Sequence, residues 1–141
     1  MKSLQRFAAV AIFAALTCAG LRAQPVDLRA TIPFEFMVGH TLMPGGDYQV
    51  RTQGNGLVVR LIDSSRSVSV MTISGGVESK GQPRLEFHRY GFEYFLTAIR
   101  DPYSEVVREV PQTQREVGLA RLSSPIQATI IAHKSDSFSP R

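Results

Sequence analysis

Arg84, Glu86, His88 and Tyr90 stand at alternate positions of one stretch, and on an extended chain alternate residues share a face. A carboxylate and an imidazole two residues apart on that face can share a proton or hold a ligand. The plainer reading is the solvent side of a half-buried hairpin. Arg89 is the odd residue, because it falls in phase with inward-facing Leu85 and Phe87. Opposite Tyr94 it can stack as a cation–π pair, project into a cavity to hold an anionic group, or bond turn carbonyls at a barrel end. Arg89, Tyr94, Tyr48 and Phe87 are thus the ligand-binding candidates, conditional on an internal cavity.

Other chemistries find little support. His40, His88 and His133 are far apart and lack metal-ligand spacing, so no metal is expected. There is no glycine-rich phosphate loop and no Gly-x-Ser-x-Gly motif. Ser64, Ser65, Ser67 and Ser69 fall in a turn and on a strand exterior. No catalytic residue and no cofactor are expected, and the chain reads as a non-enzyme.

The elements that carry these residues are short strands. Val26, Leu28, Ala30, Ile32, Phe34 and Phe36 alternate with Asp27, Arg29, Thr31, Pro33 and Glu35, a period of two that marks a half-buried strand. Pro33 cannot donate to a ladder, which predicts an edge strand or a bulge there. Pro44-Gly45-Gly46-Asp47 is a turn. Asn55-Gly56 predicts a tight hairpin, with Val50 opposite Leu61 and Thr52 opposite Val59, and the next turn places Leu61 opposite Val68. Gly75 to Pro83 is a longer polar loop. Arg84–Tyr90 and Glu93–Ile99 form a hairpin around Gly91-Phe92, pairing Leu85 with Ala98, Phe87 with Leu96 and Arg89 with Tyr94. Residues 105–110 are a short strand, Thr113-Gln114-Arg115-Glu116 has the capping-box pattern, and 116–121 is a short helix. Ile126 to Ala132 is a last strand, which would close against Val26 to Phe36.

At the front, residues 1–23 have the form of a signal peptide. Lys2 and Arg6 precede the apolar run Phe7 to Ala19, and Leu21-Arg22-Ala23 is a cleavage site leaving Gln24 first. The run is too short for a transmembrane helix. The alternative is a lipoprotein anchored through Cys18, against which Ala15-Leu16-Thr17 is a poor lipobox. The whole chain carries 16 basic and 12 acidic residues. Loss of Lys2, Arg6 and Arg22 leaves 13 against 12, a net charge of +1, which provides no footprint for nucleic acid. Cys18 is the only cysteine, so an exported domain of about 118 residues must be held by its core and not by disulfides. Residues 24–133 read as one β-domain and 134–141 as a disordered tail.

Three pieces carry a resemblance: Ile32-Pro33-Phe34-Glu35-Phe36-Met37-Val38-Gly39, Leu42-Met43-Pro44-Gly45-Gly46-Asp47-Tyr48-Gln49-Val50, and Leu85 to Gly91 followed by Tyr94-Phe95-Leu96. Together with Arg115-Glu116 they resemble a family of short exported bacterial β-rich proteins of unknown function, over nearly all of the mature chain. Met43 is inserted before Pro44, and Gly45 stands where that family commonly has alanine. The resemblance implies fold and export only. Pro44 to Val50 also resembles a hairpin of Ig-like and prealbumin-like sandwiches.

The expectation is an all-β domain, a seven- to eight-stranded antiparallel up-and-down barrel with one short helix in the C-terminal half, the alternative being a meander or Ig-like sandwich. The strands are too short and too charged outside for an outer-membrane barrel. In function the expectation is a periplasmic or extracellular binding domain for a protein or envelope component. The alternative is a carrier of a small apolar molecule in a barrel cavity. Neither involves nucleic acid, and neither spans a membrane after cleavage.

Overall fold

The computed structural model describes residues 26–135; the expected signal segment 1–23 and the end of the expected tail, 136–141, lie outside them. Strands take 55% of the structure and helix 8%, in curled sheets that form a half-barrel. The all-β class with one short helix is therefore what the chain adopts.

The strands are β1 (Asp27–Ile32), β2 (Phe36–Val38), β3 (Thr41–Met43), β4 (Gly46–Gln53), β5 (Gly56–Leu61), β6 (Ser67–Met71), β7 (Ile73–Ser74), β8 (Arg84–Tyr90), β9 (Glu93–Asp101), β10 (Val106–Glu109), β11 (Ile126–Ile131) and β12 (His133–Lys134), with helix α1 (Gln114–Leu122) before β11. One sheet runs β12-β1-β4-β5-β6 and the other β11-β8-β9-β10-β7, with the β2–β3 hairpin attached to β9. The β2–β9 contact is parallel; the other ladders are antiparallel.

Two chain segments pass from sheet to sheet. Residues 67–74 pair first with β5 and then, beyond Thr72, with β10. Residues 126–134 pair first with β8 and then, beyond Ala132, with β1. Strands that change sheets in this way make the corners of a barrel, and the closure of the last strand on β1 was expected from the sequence.

The connection order departs from sequential hairpins. β10, not β8, lies beside β7, and β11 lies beside β8. The loop 75–83 and the segment carrying α1 are the two crossings, both long enough to pass over a sheet. Gly75 permits the first: a Cβ there would lie 2.6 Å from Val107 Cγ1 and 2.9 Å from Glu109 Cγ, while its N–H donates to the Val107 carbonyl at 3.0 Å.

Several expected registers shift. β4 and β5 pair Val50 with Val59 and Thr52 with Leu57, two residues from the expected register, because the turn is Gly54-Asn55 with Gly54 at φ 57°. The β5–β6 pairing moves by two as well, Val59 meeting Val68. A slip of two keeps each side chain on its face, so apolar phase cannot detect it. In β8–β9, Phe87–Leu96 and Arg89–Tyr94 pair as expected, but a bulge between Glu86 and Phe87 places Ile99, not Ala98, opposite Leu85. The long strand read through Phe36 stops at Ile32, since Pro33 has no N–H for a ladder, and Phe36 continues on the other sheet. Lys134, read as the start of the tail, lies in β12 opposite Leu28.

The interior is filled by the alternating faces. Leu28, Ile32, Phe36, Tyr48, Val50, Leu57, Val59, Leu85, Phe87 and Ile99 are buried in one cluster. Phe87 receives the edges of Phe34 and Phe36 at centroid distances of 5.1 and 5.5 Å, and Phe36 meets Tyr48 at 5.1 Å. The Tyr48 hydroxyl donates to the Pro44 carbonyl, which satisfies the one polar atom of this buried ring. Burial raises the Tyr48 phenol, a shift that nearby Arg66 partly opposes.

Candidate functional site

The outer face of β8 and β9 carries the polar residues that the sequence brought forward. It forms a surface groove of about 440 Å³ lined by Arg84, Glu86, His88, Thr97, Arg100, Gln112 and Gln127, among others. Two separate devices sit on it.

The first is a closed ring of ion pairs. Glu86 Oε1 accepts from Arg84 Nε at 3.2 Å and from Arg100 Nε at 2.8 Å. Glu78, from the crossing loop, accepts from Arg84 Nη2 at 2.8 Å and from Arg100 Nη1 at 3.0 Å. Each guanidinium thus bridges two carboxylates through its fixed fork of donors. The hydrogen bond from Arg84, more than that from Arg100, holds the Glu78 carboxyl below its ordinary range. Burial alone would lower Arg100, but hydrogen bonds to Glu78 and Glu86 outweigh it and raise the guanidinium further. The ring pins loop 75–83 onto the sheet. Glu86 therefore does not share a proton with His88, the pairing expected from the sequence, because two arginines occupy it.

The second device involves His88, which turns to the helix. Its Nδ1 lies 3.3 Å from Glu116 Oε1, short of the alignment of a well-formed hydrogen bond. Glu116 is only 3% exposed and is the one buried residue of α1. The Thr113 side chain caps the helix by accepting from the Glu116 N–H at 3.3 Å. Half of the capping box is present; the glutamate side chain, instead of turning back to Thr113, points into the sheet toward His88 and Tyr90. Burial raises the Glu116 carboxyl, a shift that nearby His88 and then Tyr90 oppose. Burial, and then the Glu116 carboxylate, raise the Tyr90 phenol in turn. Beneath the helix, Tyr90 packs edge-on to Phe95 at 5.9 Å, and both rings are buried outside the main core.

The four ligand-binding candidates do not form one site. Phe87 and Tyr48 are fully buried core residues. The face of Tyr94 is taken by Phe34, stacked at 3.7 Å and 13°, and not by Arg89. Arg89 sits between Tyr94 and Ile126 in register, with its Nε buried and unpartnered. A second recess, of about 380 Å³, lies on the surface between the β2–β3 hairpin and the β8–β9 turn, with Leu42 and Phe92 on its rim and Arg115 paired to Glu93 beside it.

Sequence reasoning missed Glu78, Arg100 and Glu116 as partners. Glu116 carried a signal in the capping pattern, but a helix start gives no information about which sheet face lies below it. Among the described residues, no group of three His, Cys, Asp or Glu is placed to hold a metal ion, and no helix is long and apolar enough to cross a membrane. Comparison with protein-family models, curated proteins and solved structures finds no match.

Proposed function

We propose that this chain is an exported, non-enzymatic binding domain that engages a protein or an envelope component through its outer surface. One observation carries this reading: Phe36, Tyr48 and Phe87 occupy the interior with ring-to-ring contacts, and half-buried Phe34 packs edge-to-face with Phe87. A carrier of small apolar molecules needs a void of roughly 300–1,000 Å³ there. The groove on β8 and β9 is the contact surface in this proposal, because its arginines and glutamates are held in place before any partner arrives and little side-chain order is left to lose on binding.

Native mass spectrometry of protein purified from its own host tests the reading. A macromolecular partner that Arg100→Ala releases, with the far-UV spectrum unchanged, supports it. A co-purifying small apolar molecule sinks it in favour of the carrier. Mass analysis of the same sample reads the N-terminus. Gln24 as the first residue supports export, an acylated Cys18 supports the lipoprotein form, and an intact Met1 in a cytosolic fraction refutes both.

A further inference from the structure

β11 is an end strand of its sheet, and one edge of it has no strand of that sheet beside it. The Ala132 N–H donates to the Pro83 carbonyl at 2.9 Å, in line with the β11–β8 register. Antiparallel ladders alternate hydrogen-bonded and non-hydrogen-bonded pairs. Ile126, Ala128 and Ile130 therefore bond to β8, whereas Gln127, Thr129 and Ile131 direct their N–H and C=O groups away from it. The Ser135 N–H donates to the Asp27 carbonyl at 3.0 Å, so the same counting puts Thr31 opposite Ile131. Pairing with β1 nevertheless stops at Arg29–His133. No residue of β1 pairs with Gln127 or Thr129, so the outward backbone groups of these two residues have no ladder partner among the described residues.

Natural edge strands are guarded by charge, proline or bulges. Ile-Gln-Ala-Thr-Ile-Ile has none of these, and Ile126 is 56% exposed. β6, the end strand of the other sheet, is also uncharged, but Gly39 of the β2–β3 turn packs against its Val70.

We propose that β11 pairs antiparallel with β11 of a second copy, about a two-fold axis at Ala128. The sequence fits itself in that register. Gln127 meets Thr129 of the second copy and Thr129 meets its Gln127, so the outward-facing backbone groups form four hydrogen bonds. On the inner face Ile126 meets Ile130, and the small Ala128 meets itself on the axis, where the Cα atoms come closest. Such an edge contact is isologous and closes at two copies. It buries less than the ~1,600 Å² of a standard interface, so the dimer depends on concentration.

Sedimentation equilibrium over a concentration series, together with cysteine cross-linking, tests this pairing. The wild-type chain should shift from monomer toward dimer as concentration rises. On a Cys18→Ser background, Ala128→Cys should form an intermolecular disulfide under mild oxidation, because a non-hydrogen-bonded antiparallel pair sets Cα atoms about 4.5 Å apart, within disulfide reach. Gln127→Lys with Thr129→Lys sets lysine against lysine and should weaken association by about tenfold or more. Gln127→Lys with Thr129→Glu sets opposite charges together in this register and should keep the dimer. A monomer at every concentration overturns the proposal, whether or not a foreign peptide takes the edge. A dimer indifferent to the lysine pair, or a lysine–glutamate variant as weak as the double lysine, overturns it too.

Discussion

Replacing Glu116 by glutamine removes the charge of the only buried residue of α1 and keeps its shape. At neutral pH the wild-type carboxylate is 3% exposed, with Oε1 lacking a well-aligned partner. Leaving such a group unsatisfied costs about 1–3 kcal/mol. The amide has no charge to desolvate. We expect E116Q to be more stable than wild type at neutral pH by about 1 kcal/mol, a rise in Tm of roughly 4 °C for a domain of this size. The pH dependence carries the sign. Burial raises the Glu116 carboxyl above its ordinary value, so the folded chain holds this proton more tightly than the unfolded chain does. Its contribution is fully present below the unfolded pKa and is lost as pH rises through the folded one. Wild-type stability relative to E116Q should therefore fall as pH rises across that window. Urea unfolding of both proteins at a series of pH values reads the difference directly. An E116Q protein less stable than wild type at neutral pH, with a parallel pH profile, would refute the reasoning and make the ionised carboxylate a stabilising partner of His88.

Three other perturbations test the remaining architecture. Thr113→Ala removes the side-chain acceptor for the Glu116 N–H and should cost about 1 kcal/mol, visible as a lower urea midpoint with loss of helical signal. Gly75→Ala forces a Cβ to within 2.6 Å of Val107; we expect a loss of about 1–3 kcal/mol and faster amide exchange in β7 and β10, whereas exchange unchanged in those strands would contradict the sheet crossing. Glu78→Gln should flatten the acid limb of the stability profile. The Glu78 carboxyl is held low by Arg84 and Arg100, so its contribution is present above the unfolded pKa and lost as pH falls through the folded one.

Much of the fold can be read locally. The period-two faces from Val26 to Ile32 and from Arg84 to Tyr90, the turn at Gly91 and the Thr113 cap are all decided within a few residues of chain. The polar partners are not. Glu86 and His88 share a strand face, and nearness in sequence suggested that they share a proton. In the structure Arg100 comes from the next strand, Glu78 from the crossing loop and Glu116 from the helix, and these three separate Glu86 from His88.

The chain by itself determined which side chains face inward, since alternation along a strand follows from backbone geometry alone. It also determined where a helix starts, because the cap is a contact between residues three apart. Tertiary structure alone decided which strands are neighbours and in which register. A slip of two in β4–β5 leaves every face unchanged, and the choice of β10 over β8 as the partner of β7 depends on close packing at Gly75 across more than thirty residues of chain. It also decided the fate of Glu116, a capping residue by its spacing that is a buried carboxylate against His88 in the folded domain.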